Sequence, residues 1–199
     1  MKKILIFLIF ISFNKANSFQ VPSNINAAIQ YLNNGNDVND EIAISGLSIP
    51  LPPLFFALYN NYIDMAELYI MRGADLNWRR SKGKLNIFDA FFCICVLSED
   101  QILLLLELLI RHKADINMQG KFNRTLLINA VINKQEKVAK LLLETKKADI
   151  DIKDDNGYSA LDYIESDEML QNFKNYISDE KYAEVYQKIQ EKNSKCEIM

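Results

Sequence analysis

A five-residue phrase limits what this chain can fold into more than any other feature. It reads GADLN at 73–77, and near copies stand at 35–39 (GNDVN), 113–117 (KADIN) and 147–151 (KADID). The central Asp falls at 37, 75, 115 and 149, so the intervals are 38, 40 and 34 residues. A period of about 20–50 residues marks an array of small units, each burying its apolar side against the next.

The segments before each phrase carry helical spacing: INAAIQYLNN (25–34), DMAELYIMR (64–72), QILLLLELLIRH (101–112) and EKVAKLLLETK (136–146). Gly35 and Gly73 suit the left-handed position that closes a helix, and Lys113 and Lys147 stand in that place later. Helix starts are expected at Asn61 with Asp64, Ser98 with Gln101, and Asn133 with Glu136; the Ser–Gln pair fits a capping box. A further apolar helix precedes each of these starts: LFFALYNN (54–61), NIFDAFFCICVL (86–97) and TLLINAVIN (125–133). The unit is thus helix, turn, helix, polar tip.

This pattern resembles the ankyrin repeat, whose first helix opens with T-P-L-H-x-A and whose second ends in L-L-x-x-G-A-D-x-N. The opening appears as Pro52-Pro53-Leu54-Phe55-Phe56-Ala57, Leu85-Asn86-Ile87-Phe88-Asp89-Ala90 and Thr125-Leu126-Leu127-Ile128-Asn129-Ala130. A partial copy is Ser159-Ala160-Leu161-Asp162-Tyr163-Ile164. The family's His is absent from all of them, so its usual tie between turns is lost or replaced. The third unit is longer, which reads as longer helices. The resemblance implies an all-α solenoid of paired short antiparallel helices over residues 19–168. Units end near 39, 77, 117 and 151, with a partial unit at 152–168 and capping helices and tail at 169–199. It also implies a non-catalytic module that binds a protein partner through its tips and concave face. Bacterial chains of this kind include exported effectors and periplasmic proteins.

The two ends of the chain are read separately. Lys2 and Lys3 precede the apolar run Ile4 to Phe13, and Ala16-Asn17-Ser18 supplies small residues, so residues 1–18 read as a secretory signal peptide. The run is too short to span a bilayer as a helix, which takes about 20 residues. The product is expected to be exported, periplasmic or secreted, without a stable membrane anchor. Near the other end, SDEKYAEVYQKIQEK (178–192) places Tyr182, Val185, Tyr186 and Ile189 on one helix face, as a lid for the last unit requires. Cys196-Glu197-Ile198-Met199 matches a prenylation ending, but Glu197 and the leader both argue against its use.

Charge and composition remove several function classes. Without residues 1–18 the chain has 20 basic and 26 acidic side chains, a net of −6, which disfavours a general nucleic-acid binder. Cys93, Cys95 and Cys196 make no disulfide framework and lack zinc spacing. His112, the one histidine, ends an apolar helix and reads as part of its closure. The carboxylates lie mostly in the tips and tail, where solvation is expected. No phosphate loop or nucleophile elbow occurs. No catalytic residue, metal or cofactor is therefore expected, and the chain is expected to be a monomer.

What remains is surface. The second tip holds the one Trp and four cations, Trp78, Arg79, Arg80, Lys82 and Lys84, and Lys121 and Arg124 from the following tip extend the strip. Trp and Arg are the residue types most enriched at binding hot spots. These seven are the expected partner-binding residues. The alternatives are a protective role, such as neutralising a neighbouring periplasmic enzyme or toxin, and an enzyme carried on the repeat scaffold.

Overall fold

The computed structural model describes residues 24–42, 50–80, 85–91 and 97–196. The leader at 1–18, Cys93, Cys95, Lys82, Lys84 and the last three residues lie outside these. The chain divides into two compact units at Asp75–Leu76.

In the first unit, α1 (Ile25–Asn33) opens on Asn24, whose Oδ1 accepts the Ala27 N–H at 2.9 Å. Pro53 begins α2 (Pro53–Tyr59) at the one helical position where a missing N–H costs nothing. α3 (Ile63–Met71) packs against both α1 and α2. Ala28, Ala57 and Ala66 are fully buried beside Leu58 and Tyr69. Ile42 and Leu51 bridge the loop base, exchanging backbone bonds of 2.8 and 3.1 Å.

The second unit begins with a short hairpin. β1 (Arg79–Arg80) pairs antiparallel with β2 (Leu85–Asn86), Arg79 opposite Asn86. A 3-10 turn at Ile87–Phe91 is the described part of the helix expected over 86–97. Then come α4 (Glu99–Arg111), a 3-10 turn at Lys121–Asn123, α5 (Leu126–Ile132) and α6 (Glu136–Glu144). A 3-10 turn at Ala160–Tyr163, α7 (Asp167–Phe173) and α8 (Asp179–Cys196) complete it. α4 packs on α6, α6 on α7 and α7 on α8, while α5 packs on α6 and the Ala160–Tyr163 turn. Each helix thus hides its apolar flank on its successor, as in a stack. α4 has 13 residues against 9 in α3 and α6, the lengthening expected of the third unit.

The C-terminal helix covers the last unit with part of its stripe. Val185 and Ile189 are buried, Tyr182 is half-buried with its hydroxyl donating to Gln171 Oε1 at 3.0 Å, and Tyr186 is exposed.

Helix closures correct three sequence readings. Gly35, Gly73 and Lys113 take φ of 85°, 88° and 66° as expected, but in the fourth phrase the left-handed residue is Lys146, not Lys147. Thr145 is the reason: its hydroxyl donates to the Leu142 carbonyl at 2.6 Å and accepts the Lys147 N–H at 3.1 Å. Asn61, expected to start a helix, has φ 58° and instead closes α2, its N–H reaching the Leu58 carbonyl. Asn133 likewise ends α5, donating to the Asn129 carbonyl at 2.7 Å. Asn tolerates the left-handed region, so the same residue type serves either end of a helix. Ser98 and Gln101 do form the expected capping box.

The recurring phrase has a structural cause. Asp37, Asp115 and Asp149 each accept, on Oδ1, the N–H two residues on, at 2.8, 3.0 and 3.0 Å, which shapes the turn. The closing Asn reaches forward to the next phrase. Asn39 Oδ1 accepts the Asp75 N–H at 2.7 Å, Asn77 Oδ1 that of Asp115 at 2.9 Å, and Asn117 Oδ1 that of Asp149 at 2.9 Å. Asn39 and Asn117 also donate to the Gly73 and Lys147 carbonyls. The fourth phrase ends in Asp151, which has no amide to donate, and there the relay stops.

Candidate functional site

Between each phrase and the next opening the chain forms a finger. In the second unit these are the β1–β2 hairpin, the turn Gly120–Arg124 and the turn Asp154–Tyr158. The Gly120 N–H donates to the Arg124 carbonyl at 2.9 Å, and the Asp154 N–H to the Tyr158 carbonyl at 2.9 Å. The fourth finger bends on Gly157 at φ 79°. The third has no glycine at its bend and sets Phe122 and Asn123 at φ 61° and 54°. For a Phe that conformation costs about 1 kcal/mol or more.

The fingers are tied in sequence. Asn86 caps the third opening, one residue after the Leu85 position, with Oδ1 accepting the Phe88 and Asp89 N–H groups at 2.8 and 3.2 Å. Its amide donates to the Met118 carbonyl at 3.2 Å. Asp89 accepts the Asn86 N–H at 2.7 Å and the Lys121 N–H at 3.3 Å. A Cβ on Gly120 would lie 2.1 Å from Asp89 Oδ2, so only glycine fits there. Burial pushes the Asp89 carboxyl up, and the two N–H donors and the Lys121 charge only partly oppose it.

The third and fourth fingers are tied by side chain and backbone. The Asp155 N–H donates to the Phe122 carbonyl at 3.0 Å, Asn123 Nδ2 to Asp155 Oδ1 at 2.6 Å, and Gln119 to the Lys153 carbonyl at 2.9 Å. Arg124 Nε meets Asp154 Oδ2 at 3.5 Å, and its guanidinium lies 5.2 Å from the Phe122 ring and 5.6 Å from that of Tyr163. Asp154 is buried, which alone would raise its carboxyl. The Tyr163 hydroxyl at 2.5 Å, the Tyr158 and Asn156 N–H groups and Arg124 outweigh burial and hold it below the usual value. Asp89 and Asp154 are thus buried exceptions to the expected solvation of the tip carboxylates.

Of the expected contact residues, Trp78 and Arg80 are half-buried, and Arg79 and Lys121 are exposed. Arg124 has 23% of its side chain exposed and spends its charge on Asp154. Lys82 and Lys84 lie outside the described residues. Residues 78–80 and 121–124 fall on consecutive fingers joined through Asn86 and Asp89. Sequence reasoning missed Phe122 and Tyr158, each 52% exposed, because it weighed charge and Trp content. The signal was a finger bend without glycine.

His112 is the exposed last position of α4, its N–H donating to the Leu108 carbonyl. A cleft of about 450 Å³ is lined by Asn24, Ile25 and Asn61 to Met65, with one carboxylate, Asp64, and no His, Cys or Lys. Among the described residues no group of three or more His, Cys, Asp or Glu could hold a metal ion, and no helix is long and apolar enough to cross a membrane.

Stacked short helices with an Asn relay and projecting fingers define an all-α repeat scaffold. A family model described as ankyrin repeats, in three copies, matches residues 92–174, and that segment carries ankyrin repeats. Such repeats are in general protein–protein interaction modules.

Proposed function

We propose that this chain binds a protein partner through its second and third fingers, with Trp78, Arg79, Arg80 and Lys121 in contact and Arg124 holding the third finger in shape. One observation carries this reading. The two basic fingers are joined by Asn86 and Asp89, so their cations keep a fixed spacing. On a chain otherwise net acidic, that strip favours an acidic surface on the partner. Its basic leader and apolar run support export, testable by the N-terminal sequence of the secreted protein, which should begin near Phe19.

The functional test is affinity capture from the native host followed by titration of the captured protein. Trp78→Ala with Arg80→Glu should weaken binding by about tenfold or more while the helical circular dichroism stays unchanged. Wild-type affinity in the double variant removes these fingers as the contact.

A further inference from the structure

We infer that the end of the third finger, centred on Phe122, is a recognition spot for an acidic peptide segment that carries an apolar side chain beside its carboxylates. This deepens the proposed function and rests on it.

Phe122 is the focus because local energetics work against it. A phenylalanine at φ 61° with half its surface in water gains little from folding, yet the structure holds it there. Its carbonyl is fixed by the Asp155 N–H, and the next residue by the Asn123–Asp155 hydrogen bond. A partner would therefore meet an aromatic face whose position is already set, which lowers the ordering cost of binding.

The charges around the ring define the occupant. Lys121 Nζ stands 5.1 Å from the ring centroid and the Arg124 guanidinium 5.2 Å. Lys121 is exposed and pairs with no carboxylate among the described residues. The acids of this face are already engaged, Asp154 by Arg124 and Tyr163, and Asp155 by Asn123. An unneutralised ammonium beside an exposed ring matches a carboxylate next to an apolar group. Tyr158, stacked edge-on against Tyr163 at 5.7 Å, extends the aromatic row to the fourth finger. Single-stranded nucleic acid also stacks on such rows, but a mature net charge of −6 disfavours it.

The test selects random peptides displayed on phage against the full chain, with Lys121→Glu and Phe122→Gly variants as counter-targets and an oligothymidylate titrated in parallel. Gly takes the left-handed bend without strain, so the Phe122 variant keeps the finger and should melt no lower than wild type. Peptides enriched on the wild type should carry Asp or Glu beside Leu, Phe or Trp, and lose affinity about tenfold or more on each variant. Enrichment without acidic residues, undiminished binding to the variants, no enrichment at all, or oligothymidylate competing for the spot overturns the assignment. If Trp78→Ala with Arg80→Glu abolishes binding of the captured partner while Phe122→Gly does not, the fingers bind a protein but this spot is wrong. If neither matters, the wider reading fails too.

Discussion

The third and fourth fingers occupy equivalent places and solve one problem in opposite ways. Each must bring a carboxylate under its turn. The fourth supplies its own: Asp154 lies beneath the bend, accepts the Asn156 and Tyr158 N–H groups, and is neutralised by Arg124 and the Tyr163 hydroxyl. The third has Gly120 at that position and borrows Asp89 from the preceding opening. A finger with its own carboxylate can bend on Gly157. The one with a borrowed carboxylate bends on Phe122 and Asn123 and depends on its neighbour for support. The difference places strain and exposed aromatic surface on the third finger and rigidity on the fourth.

Removing the fourth finger's carboxylate should have the largest effect. Asp154→Ala leaves the Arg124 guanidinium and the Tyr163 hydroxyl without their partner and frees two turn N–H groups. The expected loss is about 3 kcal/mol in urea unfolding. A loss below about 1 kcal/mol would mean that the carboxylate does not organise the turn. Gly120→Ala comes next. Its methyl meets Asp89, which two N–H donors hold in place, and should cost about 2 kcal/mol. Adding Asp89→Ala to that variant should recover part of the loss if the clash is the cause. An undiminished loss would place the cause elsewhere.

The smallest contrast is in pH dependence, and the two carboxylates differ in sign. Asp154 is held below the usual carboxylate range in the folded chain, so its contribution is present above that range and fades as pH falls through the folded value. Asp89 is raised, so its ionised form costs stability, and that cost disappears as pH falls from the raised value to the usual range. Asp154→Asn should therefore flatten the acid-side decline in melting temperature. Asp89→Asn should gain on the wild type as pH rises through the window above the usual carboxylate value. Parallel pH profiles for the two variants would remove the contrast.

Much of the stack was legible because its signals are local. The Asp and Asn of each phrase act on backbone within the turn or one repeat away, so spacing alone located them. Ser98 with Gln101 was readable as a capping box because both bonds lie within four residues. Asn61 and Asn133 were misread because Asn suits both a helix start and a left-handed closure, and only the neighbouring backbone decides between them. Lys146 displaced Lys147 because the Thr145 hydroxyl adds a turn that spacing does not show. Within the fingers, the basic residues were visible as composition. The roles of Asp89 and Asp154 were not, since burial of a carboxylate depends on partners more than thirty residues away, as in the Asp89 to Lys121 contact. Phe122 escaped for a related reason: an aromatic in a polar tip reads as incidental until its φ is known.

The coupling of the third finger to the fourth is tested most directly by a double-mutant cycle on unfolding free energy, using Arg124→Met, Asp154→Asn and the pair together. The two side chains meet at 3.5 Å across the fingers, so the double variant should lose less than the sum of the singles, by about 1–2 kcal/mol. Strict additivity would mean that the fingers stand independently, and that Phe122 has no fixed platform beneath it.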